Sequence, residues 1–293
     1  MSFKDHLQKS KKQVDQYIQN YLCDLESTLT RPGLKDLYNS FSYSLAAGGN
    51  RIRPILSLLT AETLGVPPEK VLPLGAAVEL IHTYSLIHDD LPCMDDDDLR
   101  RGKPANHKVF GEAMAVLAGD ALNTEAFFLL TKNYSSQPEL ALDLISGLAL
   151  AAGAQGMVGG QAADVIFKER DVDSAEIEFL HMYKTGALFR VSILGAARIC
   201  NANAYELKCL SDYARAFGLI FQIADDIADG NKKLEPSFVK AVGLEKAKET
   251  CNALLQQAHQ ALESFGDRSL GLKNMIDYFA GPRSPAREGL NVS

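Results

Sequence analysis

Between residues 76 and 88 the chain reads Ala76-Ala77-Val78-Glu79-Leu80-Ile81-His82-Thr83-Tyr84-Ser85-Leu86-Ile87-His88, helical in period yet apolar almost all the way round. Only a narrow polar strip survives. Such a helix belongs at the centre of a domain, because a surface helix keeps one polar face for water. It ends in acid, as Asp89-Asp90-Leu91-Pro92-Cys93-Met94-Asp95-Asp96-Asp97-Asp98, followed by Leu99-Arg100-Arg101-Gly102-Lys103. A second apolar run ends the same way, in Phe221-Gln222-Ile223-Ala224-Asp225-Asp226-Ile227-Ala228-Asp229. Carboxylates this dense repel: a pair ~4 Å apart costs about 4 kcal/mol at an effective dielectric near 20. Divalent cations offset that cost, and magnesium takes carboxylates together with phosphate oxygens. Buried helices crowned by metal-held diphosphate are what the pattern implies.

The 3.6-residue period recurs nearly throughout, and no convincing alternation bounded by turn residues marks a strand. It predicts helices over 3–28, 34–46, 51–64, 68–88, 111–131, 137–163, 174–199, 203–229, 238–264 and 269–279. Pro68 falls in a first helical turn, Asp173-Ser174-Ala175-Glu176 reads as a capped helix start, and Gly48-Gly49 and Gly230-Asn231 interrupt helical patterns. No linker or fixed-period repeat is evident. The expected organisation is one all-α domain over 1–280, a large helical bundle around a deep central cavity, with 281–293 as a mobile C-terminal tail.

The formal net charge is −7, and no Lys/Arg stripe with interleaved aromatics appears. That argues against nucleic acid as a partner, since such binding rests on neutralising phosphates. The cysteines at 23, 93, 200, 209 and 251 are odd in number and form no CxxC pair, which fits a reducing cytoplasm. The opening Met-Ser-Phe-Lys-Asp-His lacks the apolar core of a secretory signal. Leu144–Val158, rich in Ala and Gly, falls short of a membrane span. A soluble protein with a greasy substrate is expected.

Taken alone, Asp95–Asp98 reads as a solvated acidic loop. Its neighbours change that: Asp89-Asp90 end the buried helix, Pro92 breaks it, and Arg100-Arg101 follow at once. Acids for a metal beside guanidiniums for phosphate suit a ligand with bound metal and residual negative charge. In the second cluster Asp225 and Asp229 share a helix face with Gln222, Gly218 and Ala214. Acids at a helix C-terminus oppose the macrodipole, which itself hints at a cation. His82, two turns before Asp89, reads by itself as a satisfied core histidine; His88 and His107 are taken as structural.

Two such clusters, with Lys184-Thr185-Gly186 on a third apolar helix, make residues 45–230 resemble the trans-prenyl diphosphate synthases, in particular the short-chain farnesyl and geranylgeranyl diphosphate synthases. The matching segments are Gly48-Gly49-Asn50-Arg51-Ile52-Arg53-Pro54, His82 with Ser85–Gly102, Gly119-Asp120-Ala121-Leu122, Gly159-Gly160-Gln161-Ala162-Ala163-Asp164, Lys184-Thr185 and Phe221–Asp229. The resemblance implies the isoprenoid synthase fold, a homodimer, and three Mg²⁺ ions held around an allylic diphosphate by Asp89, Asp95 and Asp225, with Asp90, Asp226 and Asp229 in support. It implies that Arg100 and Lys184 hold the allylic diphosphate, and that Gly49, Arg53, His82 and Arg101 hold isopentenyl diphosphate. Thr185 and Gln222 would turn oxygen dipoles to the allylic cation. Tyr84, one turn below Asp89, would stop the chain at C15, farnesyl diphosphate; Ser85 beside it keeps a C20 product in play.

Two departures stand out. The family usually has lysine where this chain has Asn50, so isopentenyl diphosphate should bind more weakly unless Arg51 substitutes. The segment after Asp229 is also short, with Lys232 or Lys233 as candidate replacement cations. Two other readings compete: a metal-dependent terpene cyclase, against which the second DDxxD argues, and a regulatory subunit of a prenyl synthase, against which the retained motifs argue.

Overall fold

The structure, a computed structural model, describes residues 2–168, 170, 172–229 and 237–280. The shortened segment 230–236, with Lys232 and Lys233, and the tail 281–293 lie outside the described residues. The chain divides into two compact units, Met1–Ile55 with Leu72–Ile145 and Leu56–Val71 with Ser146–Ser293.

The first unit is built on α4 (Leu72–Asp89), the helix whose apolar circumference marked it as central. Every side chain from Pro73 to Tyr84 is buried, as are Leu86 and Ile87. Around it pack α1 (Phe3–Thr28), α2 (Leu34–Ala46) and α6 (Glu112–Tyr134). After Pro92 the chain forms a short antiparallel hairpin, β1 (Leu99–Arg100) with β2 (Lys103–Pro104), and then a single helical turn or so, α5 (Asn106–Phe110). Helices α3 (Ile52–Thr63) and α7 (Pro138–Ala152) carry the chain across the unit boundaries.

The second unit continues with α8 (Met157–Phe167), α9 (Ser174–Leu180), α10 (Ala187–Ile199), α11 (Ala204–Asp229), α12 (Phe238–Val242), α13 (Leu244–Ala261) and α14 (Leu270–Ala280). Here α11 is the central element, packed by α13, α10 and α14. Its Phe217 and Phe221 stack with Phe189 of α10 and Phe279 of α14; Phe189 lies 5.0 Å from each of the α11 rings. Offset and edge-on aromatic contacts of this kind add to what area burial alone contributes. Tyr213 is fully buried, and its hydroxyl donates to the Leu272 carbonyl at 2.8 Å.

Helix existence follows the periodicity closely; the breaks do not. The run expected as one helix over 137–163 turns between α7 and α8 at Gly153–Gly156. The run expected over 238–264 is cut by Gly243, whose φ of 83° is incompatible with continuing a right-handed helix. Within 174–199 the backbone widens into a π-helical turn, His181–Gly186. Two segments, Glu112–Tyr134 and Pro138–Phe167, are long and apolar enough to cross a bilayer by length and composition. The first is α6, which packs on α4 and α2, and the second is interrupted by the turn before α8. Neither indicates a membrane span.

Candidate active site

In the first unit, the polar strip of α4 carries the chemistry. Glu79, His82, Ser85 and Asp89 recur at three- and four-residue spacing along one side of the helix. At its deep end Glu79, 1% exposed, pairs with Arg51 at 2.7 Å. Arg51 is also bonded to Asp15 at 2.9 Å and to the Leu45 carbonyl at 2.6 Å. Its guanidinium is therefore fully engaged in scaffold, and Arg51 does not replace the lysine missing at Asn50. The same Glu79 oxygen lies 3.8 Å from Arg101.

Arg101 reaches this place because of the hairpin. Arg101 and Gly102 form its two-residue turn with φ of 54° and 74°, the two positive values that match the twist of paired strands. From that turn the guanidinium of Arg101 donates to the Gly48 carbonyl and lies over Gly49. A methyl group on Gly49 would fall 2.6 Å from Arg101 Cζ. Glycine at 49 is thus required twice, by its φ of 112° and by the guanidinium above it. Gly49, His82, Arg53 and Arg101 consequently form one basic cluster. His82 registers it: burial first, then Arg53, Arg101, Arg51 and Arg100, hold its pKa well below the usual histidine range. Burial likewise lowers Arg53 to about 10, against the pull of Glu79. A neutral imidazole among crowded guanidiniums suits an anion.

At the other end of the strip the first aspartate motif folds back on itself. The Asp95 backbone N–H donates to the Asp89 carbonyl at 2.9 Å, so Pro92 reverses the chain and returns Asp95 to the helix end. Asp90 is buried, 2% exposed, and is bonded by Arg100, which also reaches Asp97 at 2.8 Å. Burial raises the Asp90 pKa and the guanidinium opposes it. Tyr84 is buried against the His88 ring, 5.8 Å between centroids, and burial together with the Asp89 carboxylate raises its pKa to about 12. His88 Nε2 lies 3.0 Å from the Val116 carbonyl, in keeping with a structural role.

In the second unit the π turn His181–Gly186 presents Lys184 and Thr185. Such turns shift the side chains that follow relative to an α-helix and are frequent at functional sites. Two glycines let the turn pack closely: a Cβ on Gly160 would collide with the Lys184 backbone, and one on Gly218 would lie 3.1 Å from Gly186 Cα. Gly218 is one turn below Gln222 and two below Asp225 on α11, so the lysine–threonine turn and the second motif are packed side by side. Lys184 Nζ is bonded to Asp164 Oδ2 at 2.6 Å. Asp225 and Asp226 are half-buried at the end of α11; Asp229 closes the helix.

Asp164 and Glu79 were assigned no role from sequence. Asp164 was visible within the Gly159–Asp164 segment, and Glu79 as the one acid on the apolar helix. His181, 5% exposed and 3.5 Å from Asp226, gave no signal at all.

The donors offered by both motifs are carboxylate oxygens, the ligands of hard cations. Among the described residues no three His, Cys, Asp or Glu side chains converge on a ready-made metal site. One or two carboxylates, completed by substrate phosphate oxygens, is how magnesium is ordinarily held. The residues fit that ion.

A family model described as Polyprenyl synthetase matches residues 34–276. The chain belongs to the polyprenyl synthetase family. A farnesyl diphosphate synthase of Geobacillus stearothermophilus is 46% identical over 88% of this chain and 86% of its own length. A chloroplastic geranylgeranyl pyrophosphate synthase of Arabidopsis thaliana is 42% identical over 83% of this chain and 76% of its own. Among solved structures, an FPP/GFPP synthase from Zymomonas mobilis superposes with a TM-score of 0.86 at 40% identity, covering 94% of this chain and 99% of that one. This polyprenyl synthetase has the all-α isoprenoid synthase fold, and it is a prenyltransferase of the short-chain trans-prenyl synthase kind.

Proposed function

We propose that this prenyltransferase condenses isopentenyl diphosphate with dimethylallyl and geranyl diphosphates, and that its product is farnesyl diphosphate. The observation that carries the reading is the basic cluster of Gly49, Arg53, His82 and Arg101, gathered around His82 on the helix that ends in the first aspartate motif. In this reading Asp89, Asp95 and Asp225 hold three magnesium ions, with Asp90, Asp226 and Asp229 in support. Magnesium, when bound, stabilises the departing diphosphate of the allylic substrate.

The protein's own groups do the rest. Arg100 and Lys184 bind the allylic diphosphate, held in place by Asp90 and Asp164 respectively. Preorganised cations of this kind stabilise charge as it develops, without reorganising at that moment. Arg53, Arg101 and the neutral ring of His82 hold isopentenyl diphosphate beside the Gly49 backbone, turning an encounter into a positioned reaction. Thr185 and Gln222 offer oxygen dipoles to the allylic cation, and apolar walls keep water from quenching it. The released diphosphate is the base that takes the final proton.

Tyr84, buried one turn below Asp89, is the reason for preferring C15. The geranylgeranyl synthases among the relatives favour C20 as the second reading. A homodimer in the cytoplasm completes the proposal. Exposed Val116, Leu117 and Phe128 give α6 an apolar face suited to a second copy. The test is chromatographic sizing of products formed from labelled isopentenyl diphosphate, magnesium and each allylic primer. A C15 product from both primers supports the assignment; hydrocarbon released from farnesyl diphosphate alone would overturn it in favour of a cyclase.

A further inference from the structure

One carboxylate of the second motif binds the protein's own backbone. Asp226 Oδ2 accepts the backbone N–H of Phe238 at 2.6 Å, and Phe238 is the first residue of α12. The same oxygen lies 3.5 Å from Nε2 of His181. A single oxygen thereby touches three elements: α11, which carries it, the π turn, which His181 opens, and the start of α12.

The consequences follow from what else fixes these elements. The π turn is bonded to α8 through Lys184 and Asp164 at 2.6 Å, whereas toward α11 the glycine contact at Gly218 sets distance but offers no directional bond. His181 is 5% exposed, and its Nδ1 has no hydrogen-bond partner. The ring's polar contact is therefore on the Asp226 side. Phe238 and Val239 are buried, so α12 is held by its own apolar side chains, and Ser237 caps it locally through the Lys240 N–H at 3.3 Å. The bond from Asp226 ties the start of α12 directionally to the end of α11. A charge-assisted bond to a backbone N–H is among the stronger single contacts a fold can make.

We propose that Asp226 is a positioning residue: by binding the Phe238 N–H and facing His181 it locks α12 and the π turn to α11, so that Lys184, Thr185 and Asp225 keep their mutual spacing. This rests on the reading of Asp225 as a metal ligand. It differs from that reading in assigning the adjacent carboxylate to the protein rather than to the ion.

Asp226→Asn and Asp226→Ala separate the two roles, because both remove the charge and only asparagine keeps an oxygen for Phe238. Melting is measured on the full chain without metal, and steady-state kinetics with magnesium, geranyl diphosphate and varied isopentenyl diphosphate. The expected result is that Asp226→Ala melts about 3 °C below Asp226→Asn. It also turns over about tenfold more slowly than Asp226→Asn, with KM for isopentenyl diphosphate unchanged between them. Equal melting and equal kcat in the two variants would mean that Asp226 acts only through the ion, and the proposal would be wrong. Asp225→Asn is the companion: it should lose the rise in melting midpoint that magnesium and a diphosphate produce in the wild type. If Asp225→Asn keeps that rise in full, the metal reading of the motif fails. The metal-free comparison at Asp226 still decides the clamp.

Discussion

Gly49→Ala is the substitution whose outcome the structure specifies most closely. The new methyl carbon would lie 2.6 Å from Arg101 Cζ and 2.8 Å from Nε and Nη2. Non-bonded heavy atoms prefer about 3.5–4.0 Å, so the guanidinium must retreat by roughly 1 Å. The tip of an arginine can move, and it leaves its bond to the Gly48 carbonyl. Backbone strain adds to this, because alanine at a φ of 112° costs on the order of 1–3 kcal/mol of fold stability. If Arg101 contributes about 2 kcal/mol to holding a diphosphate, as hydrogen bonds to charged groups do, KM for isopentenyl diphosphate rises about 30-fold. Arg100 and Lys184 are untouched, so KM for the allylic partner should hardly change. The assay is steady-state turnover at saturating magnesium and geranyl diphosphate with isopentenyl diphosphate varied. Arg101→Ala should show the same loss, and the double variant should be no worse than either single one, since both remove one interaction. An unchanged KM in Gly49→Ala, or two losses that multiply, would refute the link between the paired glycines and the guanidinium.

Four further outcomes are expected. Asn50→Lys should lower KM for isopentenyl diphosphate about fivefold, the effect of roughly 1 kcal/mol from one added cation, read in the same assay. Asp89→Ala or Asp225→Ala should abolish turnover while circular dichroism stays near wild type, because each removes a proposed metal ligand. Tyr84→Ala should lengthen the product beyond C15, checked by chromatography of dephosphorylated products; an unchanged distribution would remove the tyrosine as the chain stop. His82 has a folded pKa well below that of the unfolded chain, so its contribution to stability is complete above about pH 6.5 and is lost as pH falls below that value. His82→Gln should accordingly show a shallower decline in melting midpoint between about pH 6.5 and 5, measured without metal.

The fold class was legible because α4 and α11 advertise their burial in composition: apolar residues on every side of Ala76–Ile87 leave no surface role for that helix. Helix breaks were less legible. Gly243 ends α12 through a positive φ, and a lone glycine inside an otherwise helical pattern does not declare its conformation. The hairpin at Leu99–Pro104 is too short for any periodicity to register, yet it is what aims Arg101. The motifs make charged residues legible; the acids that pair with them inside the fold are not. Glu79 and Asp164 bind Arg51 and Lys184 across 28 and 20 residues of sequence, and such pairings exist only once the helices have packed. The same distance in sequence hid the fate of Arg51, which looked available as a spare cation and is instead buried scaffold.

The widened turn at His181–Gly186 also bears on how this chain could be re-engineered or could drift. Deleting one residue there would let a regular α-helix run straight from α9 into α10. The helices on either side would keep their phase, because the widened turn already absorbs the extra residue. The widened turn itself would be lost, and with it the presentation of Lys184 against α8. Residue number through this stretch is therefore under tighter constraint than residue identity, and insertions or deletions between Ser174 and Ile199 should be far scarcer among functional variants than substitutions.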